Sequence, residues 1–225
     1  SNPTAETVDL AFYERLVAWA KENKVWILSD LAYSELYFDG NPTRSILEVP
    51  GAKDLAIEFT SMSKTFSMAG WRVGFAVGNP RLIAALKRVK SYLDYGAFTP
   101  IQAAACAALN GPQDFIAANN KVFKERRDLV VAMLNQASGI DCPRPEGAFY
   151  VYPSCAGTIG KTAPSGKKIA TDEDFVTELL ETEGVAVVQG SAFGLGPAFR
   201  ISYATKTSDL EEACKRIQRF CGNLR

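Results

Sequence analysis

The sequence predicts an α/β fold, in which a mostly parallel sheet with flanking helices is followed by a smaller α+β domain. Two observations lead to this prediction. In the first half of the chain, short apolar runs of strand length alternate with amphipathic runs of helix length. After Pro143 the pattern changes to short strands around one helix, with a further helix at the end. We therefore predict two domains, residues 1–125 and residues 126–225.

The first domain is predicted to open with a helix over residues 9–23, capped by Asp9, because its apolar residues recur at helical spacing. Apolar runs bounded by turn residues then predict three strands, at 25–29, 55–60 and 73–77. Helical patterns follow at 80–92, 100–109 and 112–137. The last of these helices is expected to link the two domains.

The second domain is predicted to contain three strands and two helices. The strands are expected at 147–152, 185–189 and 198–203. One helix, over 172–183, has Thr171 as its predicted N-cap, and the other covers 207–222. A loop rich in glycine, proline and lysine, residues 153–170, separates the first strand from the first helix.

Composition excludes several classes of protein. The 225 residues carry 25 basic and 25 acidic side chains, so the chain lacks the basic excess typical of nucleic-acid binding. No apolar run reaches the length of a membrane span. Histidine is absent, which excludes Ser-His-Asp and Cys-His catalysis and most zinc sites. The five cysteines form no C-x-x-C motif, so we expect reduced thiols and no metal site. Unpaired thiols, no recognisable signal peptide and no membrane span together predict a cytoplasmic protein.

Three polar residues lie at or just after the ends of predicted strands, and together they indicate a candidate site. Asp30 ends one strand, Tyr33 lies three residues later, and Lys64 follows the next strand. Ligands of open α/β sheets bind at the carboxyl ends of strands, so these side chains are expected to converge. Taken singly, Asp30 could be a turn residue and Lys64 a surface lysine. Together, a lysine amine and an acid suit a pyridoxal phosphate enzyme, in which the acid partners the pyridinium nitrogen.

Four motifs carry a resemblance to a known family. They are S-N-P-T-A (1–5), L-S-D-L-A-Y (28–33), S-M-S-K-T-F-S-M-A-G-W-R-V-G (61–74) and F-R-I-S-Y-A (199–204). In this order, over essentially the whole chain, they resemble the fold-type I, class I/II aminotransferases that depend on pyridoxal 5'-phosphate. The element S-x-S-K-x-x-x-x-x-G-x-R is the most specific of the four.

The resemblance implies roles for the cofactor-binding residues. Lys64 is expected to form a Schiff base with pyridoxal phosphate and to move the substrate's α-proton. Asp30 is expected to pair with the pyridine nitrogen. Tyr33 and Asn2 are expected to hydrogen-bond the phenolic oxygen of the cofactor ring.

The resemblance also implies residues that bind anions. Ser61, Ser63 and Arg72 are expected to bind the cofactor phosphate, although Arg72 read alone could be a stacking or surface residue. Arg200 is expected to bind the substrate α-carboxylate, a task suited to a planar guanidinium. Read alone, Arg200 could belong to the polar face of its strand.

The activity implied is transfer of an amino group from a small or acidic amino acid, alanine or aspartate, to a 2-oxo acid such as 2-oxoglutarate. Residues up to about 110 resemble the alanine-preferring branch, and later residues resemble aspartate aminotransferases. Other pyridoxal phosphate chemistry, such as β-elimination or decarboxylation, and a non-catalytic cofactor-binding module or incomplete fragment remain alternatives. The resemblance implies a homodimer, and a front segment present in complete family members is expected to precede Ser1.

Overall fold

The computed structural model describes residues 1–225 and divides the chain into two units. The first, here called the N-terminal unit, is Thr7–Ala118. The second, the C-terminal unit, is Asn119–Arg225 together with Ser1–Glu6. The division lies seven residues before the boundary that the sequence suggested, within the same long helix, and it assigns residues 1–6 to the other unit. The domain assignment itself stays a prediction.

The N-terminal unit contains helices and three strands in the predicted order. The helices are α1 (Leu10–Asn23), α2 (Met62–Thr65), α3 (Pro80–Leu93), α4 (Thr99–Asn110) and the start of α5 (Asp114–Leu134). The strands are β1 (Ile27–Asp30), β2 (Ala56–Ser61) and β3 (Gly74–Gly78). Asp9 caps α1 as predicted, because its carboxylate accepts the backbone N–H of Phe12 at 2.7 Å.

These three strands form one sheet in the order β1-β2-β3. The α/β class is confirmed, and β1 pairs with β2 in parallel, with Asp30 opposite Phe59. β3 instead runs antiparallel to β2, with Ser61 opposite Gly74. The twelve residues that connect β2 to β3 hold only two short helical turns, Met62–Thr65 and Ala69–Trp71, and not the long helix of a usual parallel crossover. Mixed sheets of this kind are common in α/β proteins.

Two apolar clusters stabilise the N-terminal unit. One joins α1 to the segments that precede β2, and its members are Val17, Ala20, Ile46, Val49, Ala52, Leu55 and Ala56. The other lies beneath α2 and consists of Met62, Met68 and Ala105, with Phe66 and Val73 packed against it. Burial of these side chains is the main favourable term for folding, and it fixes the segments on both sides of β2.

The C-terminal unit is a three-stranded antiparallel sheet with helices. Its elements are β4 (Tyr150–Val151), α6 (Asp172–Glu183), β5 (Val188–Gln189), β6 (Phe199–Ser202) and α7 (Thr207–Gly222). The strand order is β4-β6-β5. Both helices have the predicted bounds, and Thr171 caps α6 through a capping box with Asp174. Phe175 of α6 packs between Phe199 and Phe220, with ring centroids 5.1 and 5.5 Å away.

All three strands of this unit are shorter than predicted, β6 by one residue at each end and the other two by more. β4 begins only at Tyr150, because Ala148 has a φ of 56°, which interrupts the extended conformation. β5 covers only Val188 and Gln189, the residues that face Arg200 and Phe199 of β6. The apolar residues before Val188 have strand propensity but no ladder partner. No helix in the structure combines the length and the hydropathy needed to traverse a lipid bilayer.

Burial separates one cysteine from the other four. Cys106 is exposed, whereas Cys142, Cys155, Cys214 and Cys221 are buried. Burial raises the pKa of Cys214 to about 11 and the pKa of each of the other three buried thiols to about 12. Because the thiolate is the reactive species, these four thiols are expected to be inert in the folded protein.

We predict that Ellman's reagent labels one thiol of the native protein and five of the unfolded protein. Because the four raised pKa values favour the protonated folded state, their stabilising effect is complete below pH 9 and declines as pH rises toward 12. Urea unfolding between pH 8 and 11 should therefore show falling stability. A Cys106→Ser variant is the control and should lose the native labelling. Rapid native labelling of that variant would contradict the assignment.

Candidate functional site

One edge of the sheet in the N-terminal unit collects most of the predicted site residues. β1 and β2 are parallel, so their carboxyl ends, at Asp30 and Ser61, lie at the same edge. β3 is antiparallel, so its first residues lie at that edge too, and Arg72 precedes them. Lys64 follows Ser61 by three residues. Strand directions alone therefore bring these four residues to one side of the unit.

Lys64 is carried on the single helical turn α2. The side-chain oxygen of Ser61 caps this turn by accepting the backbone N–H of Ser63 at 3.1 Å. The Lys64 side chain is half-buried, and its Nζ lies 5.6 Å from the centroid of the Tyr33 ring. Lys64 and Tyr33, which are 31 positions apart in sequence, are thus brought together as expected from the sequence.

Asp30 and Arg72 flank this pair. Asp30 is exposed at the end of β1, and its carboxylate accepts the backbone N–H of Ala32 at 3.3 Å, which orders the turn that leads to Tyr33. Arg72 has a left-handed backbone with a φ of 53°, and its Nη1 donates to the carbonyl of Ala69 at 3.0 Å. Its guanidinium is exposed and so is open to an anion.

Arg200 and Asn2 meet in the C-terminal unit. Nη1 of Arg200 donates to Oδ1 of Asn2 at 2.7 Å, although 198 positions separate the two residues in sequence. The Arg200 guanidinium carbon lies 4.8 Å from the ring centroid of Tyr150 and 5.0 Å from that of Phe193. Arg200 is therefore held by an amide and two aromatic rings, and is more than a residue on the polar face of β6.

Sequence reasoning missed a buried carboxylate in β2. Glu58 is 4% exposed and accepts hydrogen bonds from Ser29 Oγ at 3.1 Å, Ser45 Oγ at 2.7 Å and the backbone N–H of Ile46 at 3.2 Å. Burial raises the pKa of the neighbouring Tyr13, and the Glu58 carboxylate raises it further. The network ties β2 to β1 directly beside Asp30. One acidic residue in the otherwise apolar run LAIEFT was the available signal.

Sequence reasoning also missed the aromatic residues around Arg200. The Tyr152 hydroxyl donates to the carbonyl of Leu195 at 2.6 Å, and its ring meets that of Phe193 edge to face at 6.4 Å. Burial raises the pKa of Tyr152, and the Asp172 carboxylate raises it further, so the hydroxyl stays a proton donor. These contacts depend on residues more than forty positions apart, and no local pattern predicts them.

Comparison with known proteins identifies the family. The family described as aminotransferase class I and II matches residues 1–217. The chain belongs to the class I and II aminotransferases. A probable aspartate/prephenate aminotransferase of Rhizobium leguminosarum bv. phaseoli is 59% identical over 203 residues, which are 90% of this chain and 51% of the relative. The aspartate/prephenate aminotransferase of Cereibacter sphaeroides is 47% identical over the whole chain and 56% of its own length.

The likeness extends to solved aminotransferase structures. The crystal structure of the aspartate aminotransferase from Rhizobium meliloti matches with a TM-score of 0.96 and 44% identity, over all of this chain and 57% of that one. An aminotransferase from Staphylococcus aureus matches with a TM-score of 0.86 and 33% identity. The chain spans about half the length of the curated relatives it matches.

Aminotransferases of this family depend on pyridoxal 5'-phosphate. The side chains at the sheet edge are of the chemical types that pyridoxal 5'-phosphate requires. They provide a half-buried primary amine near a phenol ring, a carboxylate at the adjacent strand end, and hydroxyl and guanidinium groups suited to a phosphate. Such a set of side chains matches the four functional groups of the cofactor, which are an aldehyde, a ring nitrogen, a phenolic oxygen and a phosphate.

Gly74 allows β3 to approach β2 where the site residues lie. A Cβ on Gly74 would come within 2.5 Å of the Thr60 carbonyl oxygen and 3.4 Å of Ser61 Cα. We predict that Gly74→Ala lowers the free energy of unfolding by about 1–3 kcal/mol, because the strands must separate. Gly70→Ala is the matched control, since its Cβ meets nothing within 4 Å. Equal effects of the two substitutions in urea unfolding would show that the close approach is unimportant.

Removing one acceptor from Glu58 should destabilise the N-terminal unit. Glu58→Gln replaces a carboxylate oxygen with an amide that cannot accept, so a buried donor loses its partner. We expect a loss of about 1–3 kcal/mol in the free energy of unfolding. Glu212→Gln is the control, because Glu212 pairs with Arg216 on the surface, and its effect should be much smaller. A larger loss for the surface variant would contradict this account of the network.

Proposed function

We propose that the protein to which this chain belongs is a pyridoxal phosphate-dependent aminotransferase that moves an amino group between an acidic amino acid and a 2-oxo acid. The observation that carries the proposal is the position of Lys64. Its amine lies 5.6 Å from the Tyr33 ring, at the sheet edge where β1 ends in Asp30. Membership of the class I and II aminotransferases supports the same reaction class.

When bound, pyridoxal phosphate supplies an aldehyde that exchanges amino groups and a ring that takes up the electrons left when the α-proton departs. In this proposal the Lys64 amine holds the cofactor and, once released, moves the α-proton of the substrate. A lysine amine suits both tasks, because it can add to an aldehyde as a nucleophile and can carry a proton as a base. The chain has no histidine that could move the proton instead.

In this proposal the remaining predicted residues bind and orient the cofactor and the substrate. The Asp30 carboxylate accepts a hydrogen bond from the protonated ring nitrogen and so keeps that proton in place. Tyr33 and Asn2 donate to the phenolic oxygen of the cofactor. The hydroxyls of Ser61 and Ser63 and the guanidinium of Arg72 bind the phosphate. Arg200 binds the α-carboxylate of the amino acid.

Aspartate is the preferred donor in this proposal, with alanine as the other donor suggested by the sequence. Two relatives are named aspartate/prephenate aminotransferases, and one of them is 59% identical to this chain. Relatives named LL-diaminopimelate aminotransferases reach 44% identity. We also propose a homodimer, which the family resemblance supports. A cytoplasmic location is proposed as well, and the five free cysteines are consistent with a reducing compartment.

We predict that pyridoxal phosphate followed by borohydride labels one residue, Lys64, in a peptide map. The half-buried position beside Tyr33 distinguishes this amine from surface lysines. Lys64→Arg should abolish the label, whereas Lys53→Arg, a substitution elsewhere in the same unit, should not. Labelling spread evenly over the lysines, with no loss in Lys64→Arg, would refute the role of Lys64.

The products formed from L-aspartate identify the reaction. Transamination leaves oxaloacetate in an amount equal to the loaded sites, with the amino group retained on the cofactor. Decarboxylation instead releases carbon dioxide, and elimination releases ammonia. An oxo acid, oxaloacetate or the pyruvate formed from it by spontaneous loss of carbon dioxide, is the expected product without free ammonia. Alanine or β-alanine, or free ammonia, as the main product would favour the alternative chemistry.

A further inference from the structure

Arg200 is held in a way that the family resemblance does not explain. It lies on β6, two positions before Ser202, and Ser202 faces Tyr150 of β4. Residues two apart on a strand share a face, so Tyr150 is a diagonal neighbour of Arg200. Phe193 approaches from the short helical segment that follows β5. We name Tyr150 and Phe193 the aromatic clamp.

The segment that carries Phe193 is fixed at several points. Asp172, the first residue of α6, is 3% exposed, and its Oδ2 accepts the backbone N–H of Ser191 at 2.8 Å and of Ala198 at 3.4 Å. The N–H of Gly190 donates to the carbonyl of Ala198 at 2.7 Å. The Tyr152 hydroxyl holds the carbonyl of Leu195 from another side.

Gly190 allows this close packing. A Cβ on Gly190 would lie 2.6 Å from the Tyr152 hydroxyl oxygen, so the segment can pass that close only as glycine. A buried carboxylate and the Tyr152 hydroxyl therefore set the position of Phe193, although Phe193 itself is 37% exposed. Its ring can be changed without opening a large cavity in the core.

The clamp leaves part of the guanidinium free for a ligand. Arg200 makes one hydrogen bond, from Nη1 to Asn2. Its Nε–H and second amino group remain available, and two adjacent N–H groups of arginine match the two oxygens of a carboxylate. A guanidinium that is already oriented loses less rotational freedom when it binds.

We propose that Phe193 and Tyr150 are positioning residues that orient Arg200 for bidentate binding of the substrate carboxylate, with Asp172 and Tyr152 fixing Phe193. This inference rests on the proposed role of Arg200 in binding that carboxylate. It assigns the affinity for the substrate carboxylate to ring contacts as well as to charge.

The principal test replaces the ring of Phe193. Phe193→Leu removes the aromatic face, Phe193→Tyr keeps it, and Leu180→Ala alters an apolar side chain of the same unit that is 46% exposed. Nitrogen-15 and carbon-13 NMR of labelled arginine measures the rotation of each guanidinium about its Nε–Cζ bond. Loss of one signal set in Arg200→Lys assigns Arg200.

We expect Phe193→Leu to raise the rotation rate of Arg200 about fivefold or more, because a cation–π contact is lost. Phe193→Tyr and Leu180→Ala should stay within about twofold of the unaltered protein. A merely structural role of Phe193 would lower the melting temperature and leave the rotation rate unchanged. An unchanged rate in Phe193→Leu overturns the proposal.

Kinetics of the pyridoxal phosphate-loaded protein provide the second readout. For Phe193→Leu we expect KM for L-aspartate to rise about tenfold with kcat within about twofold, and Phe193→Tyr to restore KM. A faster rotation with unchanged KM also overturns the proposal. If the unaltered protein transaminates no amino acid, the proposed function fails by itself. The rotation rates then still show whether the clamp orients Arg200.

Discussion

Parallel pairing of β1 with β2 is the constraint on which the N-terminal unit depends. It places the ends of both strands at one edge, so that Asp30 and the helical turn carrying Lys64 share a side of the unit. Glu58 reinforces the pairing from within, because its carboxylate binds Ser29 on the neighbouring strand and Ser45 on the preceding segment. The strand that carries the buried Glu58 thus also leads to the helical turn that carries Lys64.

Much of this arrangement could be predicted from the sequence, because it depends on local signals. Asp9 and Thr171 are capping residues in capping positions, and both helices begin where those residues predict. The closeness of Lys64 to Tyr33 follows from the rule for strand ends. The direction of β3 was harder to predict, since its apolar residues suit either pairing. The connection after Ser61 contains no long helix, and this feature favours antiparallel pairing over a parallel crossover.

The environment of Arg200 could not be predicted, because its partners lie far apart in the chain. Asn2 comes from the first residues, Tyr150 from β4, and Phe193 from a segment fixed by Asp172. Each residue alone has an ordinary explanation as a loop amide, a core aromatic or a helix cap. Only the folded structure shows that Asn2, Tyr150 and Phe193 all contact the guanidinium of Arg200. The shortened β5 has a related cause, since pairing with β6 and not propensity limits its length.

The pairing of Ser61 with Gly74 has a consequence for the spacing of residues in the S-x-S-K motif. These two residues face each other across the ladder, so residues 62–73 form a closed loop whose two ends are held by backbone hydrogen bonds. The serine, the lysine and the arginine of the motif therefore lie within one short closed loop, and closing it costs little chain entropy. The number of residues between the lysine and the arginine therefore fixes how far apart they can lie, because both belong to a short loop that joins two paired strands. An insertion there would move the arginine relative to the lysine even if every functional group were kept.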